Sequence, residues 1–366
     1  MELITPPAEA NGLRARVIRL VATGLYLSGA LAILRWWAKS MMLVQDQGER
    51  AAFPFIKTRK APNLQILTYH RVNDENDFVF PATPIQVFEE QMTHVAKRYH
   101  VCGLEEAVER FEKKDLPQNA IVVTFDDGYR DNYLHAFPVV KNLALPMTIF
   151  LATDAIGTGL TLWHDRVFSA FRETTVPVLA GFDHSLEQVR LGSRPQQMRL
   201  MEKVLAILRQ LDEVERNRRI SLLCRCLAVE ERDVDPNLML TWDDVRVMSR
   251  LQVSFGSHTA SHPILARVSE EETDAQLVRS CEAIRQHVGQ RPMTFAYPNG
   301  TKADFNNVTK QALKRLGFRC AVTTEFGINE PGVDMFELKR GRPWEDHIPT
   351  FAFKLSWYRV MSSQAA

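Results

Sequence analysis

The sequence has almost no excess of charge of either sign: 45 Lys and Arg stand against 44 Asp and Glu, a formal net charge of +1. That balance excludes a whole-chain field strong enough to draw in polyanions, so no nucleic-acid partner is expected. Cysteine is scarce and irregular. Cys102, Cys224, Cys226, Cys281 and Cys320 form an odd, scattered set, and the one residue between Cys224 and Cys226 is the wrong spacing for a CxxC redox loop or zinc knuckle. Buried thiols in a reducing compartment are expected. With 17 Gly and 18 Pro in 366 residues, collagen-like order and low-complexity disorder are excluded. No Walker loop, dinucleotide fingerprint or GxSxG elbow occurs, which removes local support for nucleotide or serine-esterase chemistry.

Long apolar runs are missing too. The longest uncharged stretch in the segment Arg14–Val44 is Leu20 to Leu34, short against the roughly 20 residues of a bilayer span. No small-residue cleavage site precedes Arg35-Trp36-Trp37, which argues against an exported signal peptide. Three readings stay open for this segment: a helix packed on the core, which leads, an interfacial anchor built from its Arg residues and paired Trp, and a true span. The expected location is cytoplasmic, with peripheral association at the inner membrane face as the alternative.

What is present is the rhythm of an α/β domain. Asn63 to His70 reads as a short buried strand, Pro84–Tyr99 and Gly103–Lys114 as helices, and Ile121 to Phe125 as a buried parallel strand running into Asp126-Asp127-Gly128. A helix at Ala136–Leu143 leads to a strand at Pro146–Thr153. From 157 to about 237 the pattern becomes charged and mostly helical, as an insertion or lid would be. The rhythm then resumes with a Thr-capped helix at Thr241–Leu251 and a strand at Val253–His258. A helix at Ser269–Val288, a strand at Met293–Pro298, a helix at Asn306–Gly317 and a strand at Cys320–Thr324 follow.

Three strand ends carry residues able to perform chemistry: Asp126-Asp127, His258 with His262, and Tyr297-Pro298. A carboxylate and two imidazoles suit a divalent cation and leave positions for water and substrate. The spacing of His258 and His262 would place both rings on one face of a turn. Each motif alone is commonly structural; their joint appearance directly after apolar strands is not. Trp163-His164-Asp165-Arg166 reads mainly as structural, with a sugar-facing role as the rival, and Trp242-Asp243-Asp244 as the opening of a helix.

Together these motifs resemble the polysaccharide deacetylases, the NodB-homology proteins of carbohydrate esterase family 4. Thr124-Phe125-Asp126-Asp127-Gly128 is similar to the family's first motif, Ser257 to His262 to its second, and Phe295 to Gly300 to a relaxed third. The resemblance implies a distorted (β/α) barrel interrupted by the helical insertion. It implies Asp127, His258 and His262 as metal ligands, Asp126 as catalytic base, and a main-chain N–H at Tyr297 holding an oxyanion. Zn2+ is the default ion, with Co2+, Ni2+, Mn2+ or Fe2+ as alternatives. The third motif lacks its usual Arg, and no late Leu-x-His supplies an acid; Glu345-Asp346-His347 is a poor match. His70, in Tyr69-His70, resembles the early YH motif of the circularly arranged branch that includes biofilm poly-N-acetylglucosamine enzymes, which implies it as the acid. Arg340 is either a solvated strand-end charge or the partner of a catalytic carboxylate.

The expected organisation is an N-terminal helical segment at 1–60, a catalytic domain at 61–345 with its insertion at about 157–237, and a C-terminal extension at 346–366. The expected activity is metal-dependent N-deacetylation of an acetylated carbohydrate, the expected partner. A noncatalytic carbohydrate-binding or assembly protein that keeps the cation, and a hydrolase of another amide or ester, are the alternatives.

Overall fold

The computed structural model describes residues 13–28, 30, 63–342 and 345–361. Seven parallel strands form its centre: β1 (Gln65–Tyr69), β3 (Ala120–Phe125), β4 (Met147–Leu151), β7 (Val253–Ser257), β8 (Thr294–Ala296), β9 (Cys320–Phe326) and β10 (Leu338–Arg340) pair in that order. Main-chain bonds between Gly341 and both Ile66 and Thr68 join the last strand to the first. The sheet is therefore a near-closed barrel, the distorted (β/α) architecture expected. The short β2 (His100–Val101) adds to the start of β3.

These strands read as continuous apolar runs because both faces are covered. Side chains alternate, so Ile66, Val122, Phe150, Ala296, Val322 and Leu338 from six strands meet in one buried cluster. Gly256 on β7 belongs to this packing, since a Cβ there would lie 2.4 Å from the Phe150 ring. Helices α2 (Ile85–Arg98) and α3 (Leu104–Glu112) precede β3, and a π-helical turn at Asn132–Ala136 leads into α4 (Phe137–Asn142).

The insertion comprises α5 (Trp163–Glu173), a two-stranded antiparallel hairpin of β5 (Val178–Ala180) and β6 (Gln188–Arg190), α6 (Arg194–Leu208) and α7 (Glu213–Cys226). The hairpin was hidden by the surrounding helical composition: each strand is only three residues long, too short to show a period. The insertion shares one apolar core with the outer face of the barrel through Phe168, Phe171, Leu205 and Leu223. Next come α8 (Trp242–Ser249), α9 (Glu270–Val288) and α10 (Asn307–Arg315). The opening of α8 is structural as expected, with Thr241 capping Asp244 N at 3.1 Å and Trp242 stacked on His287.

At the termini, α1 (Leu13–Leu27) packs against α11 (Ile348–Met361). Among the described residues no helix is long and apolar enough to cross a membrane. Arg35, Trp36, Trp37 and the rest of that segment from 31 to 44 lie outside the described residues.

Candidate metal centre and active site

Strand parity explains why two adjacent aspartates point apart. Asp126 continues the inward-facing set of Val122 and Thr124, whereas Asp127 leaves the strand with φ 72° and turns toward the loops. Gly128 follows at φ 90°, where a Cβ would lie 2.9 Å from Leu151 and Ile156 side chains. The turn thus requires glycine after the acidic pair.

Asp127 Oδ1 lies 3.3 Å from His258 Nε2 and 3.3 Å from His262 Nε2, and all three side chains are buried. Two ligands on a tetrahedral ion with bonds of about 2.0–2.1 Å stand about 3.3–3.4 Å apart, so the donors fit a small divalent cation. The second coordination layer fits as well. The Ala296 carbonyl accepts from His258 Nδ1 at 2.7 Å, which orients the ring so that Nε2 faces Asp127 and would offer its lone pair to an ion once deprotonated. Burial opposes ionisation of Asp127, but hydrogen bonds from the two imidazoles overcome it and hold the carboxyl well below its ordinary range.

The two histidines do not share a helical turn, contrary to the spacing argument. Residues 258–262 form an irregular loop with Thr259 at φ 67° and His262 at φ 61°. Side chains hold it: Gln276 Oε1 accepts from Ala260 N at 3.0 Å and Ser261 N at 2.9 Å, and Thr259 Oγ1 accepts from His262 N. Left-handed backbone at non-glycine residues is costly and concentrates where a structure fixes functional groups.

Asp126 has a different environment. Arg340, fully buried on β10, donates from Nη1 to Oδ1 at 2.7 Å and from Nη2 to Oδ2 at 2.6 Å. Its Nε donates to the Thr323 carbonyl at 2.7 Å, fixing the fork. Burial alone would raise Asp126; the guanidinium outweighs it and lowers the carboxyl below its ordinary value. Of the two sequence readings of Arg340, the solvated charge is thereby excluded. The guanidinium absent from the third motif arrives from a different strand.

His70 follows β1, with Nε2 3.9 Å from Asp126 Oδ2. Its carbonyl accepts from Asn132 Nδ2 at 2.8 Å, and its ring meets Phe80 edge-on. His347 lies elsewhere, against Thr350 and Thr23. Tyr297 lines the site but its donors are committed: N–H to the Val322 carbonyl at 3.2 Å and hydroxyl to the Phe336 carbonyl at 2.9 Å. The expected oxyanion donor is therefore engaged in the β8–β9 ladder. Asn299, two residues on at φ 59°, also lines the site, and its N–H makes none of the described main-chain bonds.

These groups line one cavity, of about 40 Å³. Sequence reasoning missed much of its wall. The insertion supplies Trp163, His164, Phe168, Leu205 and Arg209. The His164 ring sits 5.1 Å from that of His262, with its Nε2 3.0 Å from the Tyr129 hydroxyl, which donates to Asp165 at 2.8 Å. Burial pushes the His164 imidazole down to about 3 and the Asp165 carboxyl up to about 7. His164 is therefore a neutral wall of the cavity. The mixed aromatic and polar sequence 163–166 was the available signal.

The polysaccharide deacetylase family profile matches residues 113–321. The chain belongs to the polysaccharide deacetylase family. It is 28% identical over 162 residues to YxkH of Bacillus subtilis (strain 168), provisionally named a polysaccharide deacetylase, covering 43% of this chain and 55% of that protein. It is 29% identical over 150 residues to the poly-beta-1,6-N-acetyl-D-glucosamine N-deacetylase of Staphylococcus epidermidis, covering 35% and 50%. The chain thus spans about half the length of the curated relatives it matches. Among solved structures, IcaB from Ammonifex degensii shares the fold with a TM-score of 0.54 and 19% identity, covering 81% of this chain and 98% of that one.

Proposed function

We propose that the protein removes an acetyl group from the nitrogen of an amino sugar within a glycan, glycolipid or related carbohydrate. The observation that carries this reading is the union, at one rim of the barrel, of the Asp127–His258–His262 donor set with a second carboxylate clamped by Arg340. The family supports metal-dependent amide hydrolysis; the acetylated sugar and Zn2+ are the finer reading.

When bound by Asp127, His258 and His262, a divalent cation supplies Lewis acidity toward an amide carbonyl and acidifies water. The chain's own groups do the rest. Asp126, kept ionised by Arg340, takes a proton from the attacking water. Asn299 N–H, in place of Tyr297, is the main-chain donor available to the developing oxyanion. His70, across from Arg340 on the same carboxylate, delivers a proton to the departing amine, which the neighbouring Asp126 can replenish. Phe80, Trp163 and Phe168 exclude bulk water and offer faces for a sugar ring.

The test incubates metal-loaded full-length protein with acetylated glycans, glycolipid precursors and soluble amino sugars, reading acetate and product mass together. Acetate with the matching mass loss is expected. Release that survives both D126N and D127A, or glycan binding with no acyl release across the panel, overturns the proposal.

A further inference from the structure

One cavity-lining group has no part in the chemistry above. Arg209 caps the C-terminal end of α6, in the insertion, and its side chain lines the same cavity as the metal-ligand cluster. The end of a helix suits a cation, but does not require its head group to be withdrawn from water. Here the residue is half-buried, and its Nε is shielded from solvent and has no hydrogen-bond partner. No acidic side chain among the described residues lies within ion-pair distance of it. Asp304 and Glu202 are the acids whose charge reaches it, and the Asp304 carboxylate already accepts from Thr301 N and Oγ1. Burial makes the guanidinium a weaker base than usual, the direction of an uncompensated cation.

The other charges of the cavity are answered: Asp126 by Arg340, Asp127 by two imidazoles and the cation they would hold. A second orphan accompanies Arg209. Asn299 is buried, and its Nδ2 has no partner. Buried donors left unmatched cost free energy, and two facing one cavity are complementary to an acceptor that arrives with a ligand.

We propose that Arg209, together with Asn299 Nδ2, recognises an oxyanion carried by the substrate, a carboxylate or phosphate on the acylated amino sugar or on the unit joined to it. This deepens and rests on the deacetylase reading. The insertion then does more than roof the site: it selects charged substrates over neutral ones, in a protein whose whole-chain field is close to zero.

The experiment compares kcat/KM of metal-loaded full-length protein on three matched acetylated amino sugars: a neutral methyl glycoside, the corresponding 6-carboxylate and a phosphate ester. The two charged arms distinguish the source of the oxyanion. At least one anionic compound is expected to exceed the neutral one by about tenfold or more, the range of a charge-assisted hydrogen bond. In R209Q that ratio falls toward one, and in R209K part of it returns. A ratio near one in the wild type, or an unchanged ratio in R209Q, overturns the inference. Thermal melting shows whether R209Q is folded; if it is not, the wild-type ratio and R209K decide.

Calorimetric binding of the same three compounds separates this inference from the parent reading. Absence of acetate would sink the deacetylase assignment alone, provided that the anionic sugars still bind tenfold more tightly than the neutral one and lose that margin in R209Q. Equal affinities, or none for any anionic sugar, overturn the anion site itself.

Discussion

Two groups of three potential metal ligands occur in the described structure, at opposite ends of β3, and they are unlike in every respect but their count. Asp127, His258 and His262 are buried and lie beyond the C-terminal ends of strands, and the Ala296 carbonyl fixes the His258 ring. His100, Cys102 and Glu106 lie beside the start of β3, with His100 and Glu106 exposed. Burial pushes the Cys102 thiol up to about 11, with Glu106 adding to the effect, so it stays protonated at neutral pH. Glu106 is answered by Arg110 at 3.3 Å on the same helix. Proximity of donor atoms is therefore a weak criterion. Ligands must be able to shed their protons and be held in place, and the first group has a carboxylate kept ionised and an imidazole oriented by a main-chain carbonyl.

The most severe way to break this contrast is D127A. It is expected to remove stoichiometric metal from the protein, measured by elemental analysis after dialysis, and to lower acetate release by about 10³-fold or more. Metal retained at wild-type stoichiometry would place the ion elsewhere. D126N comes next, with a loss of about 10²–10⁴-fold in kcat, the usual contribution of a positioned base. Its metal content stays at the wild-type level, because Asp126 is bound to Arg340 and not to the imidazoles. Loss of both metal and rate in D126N would merge the two carboxylates into one function.

R340Q tests the clamp on the base. Breaking a buried, bidentate ion pair leaves the other charge uncompensated and costs about 3–5 kcal/mol, read as a lowered denaturation midpoint. The pH dependence has a definite sign. In the wild type the lowered Asp126 carboxyl contributes stability above its unfolded pKa and loses it as pH falls through the folded value. Without Arg340, burial is opposed only by the lesser influence of His258 and His70, the carboxyl rises, and the acidic limb of kcat/KM moves to higher pH. R340K, which keeps a charge but not the fork, is expected to fall between the two. An unshifted limb in all three proteins would show that Asp126 does not titrate in the rate.

These residues also mark how much was legible in the sequence. The barrel strands were readable because parallel strands buried on both faces leave short apolar runs, and Asp126-Asp127, His258 and His262 were readable because they fall directly after such runs. Arg340 was half legible, since its strand-end position left a solvated charge and a carboxylate partner equally open. Its partner is more than 200 positions earlier, and only the closure of β10 onto β1 brings the two together. The geometry of His258 and His262 was likewise hidden, since spacing suggests a helical turn whereas Gln276, on another helix, shapes the loop. At Tyr297 the ladder uses the main-chain N–H, a fact of register that composition does not encode. Arg209 and His164 reach the cavity only through the packing of the insertion.

The smallest expected effect belongs to the other half of the comparison. H100A and E106Q alter exposed side chains, and the pair that Glu106 makes with Arg110 is of the surface kind worth little in stability. Neither should change metal stoichiometry or acetate release, and the thermal midpoint should stay within about 2 °C of the wild type. The decisive measurement is metal content of the double variant beside that of D127A. If the double variant lost an equivalent of metal that D127A retains, the exposed cluster would be a second site, and the protonated state of Cys102 would have to give way on binding. Equal metal in wild type and double variant leaves a single centre, chosen by burial, an ionised carboxylate and the orientation of His258 by the Ala296 carbonyl over mere closeness.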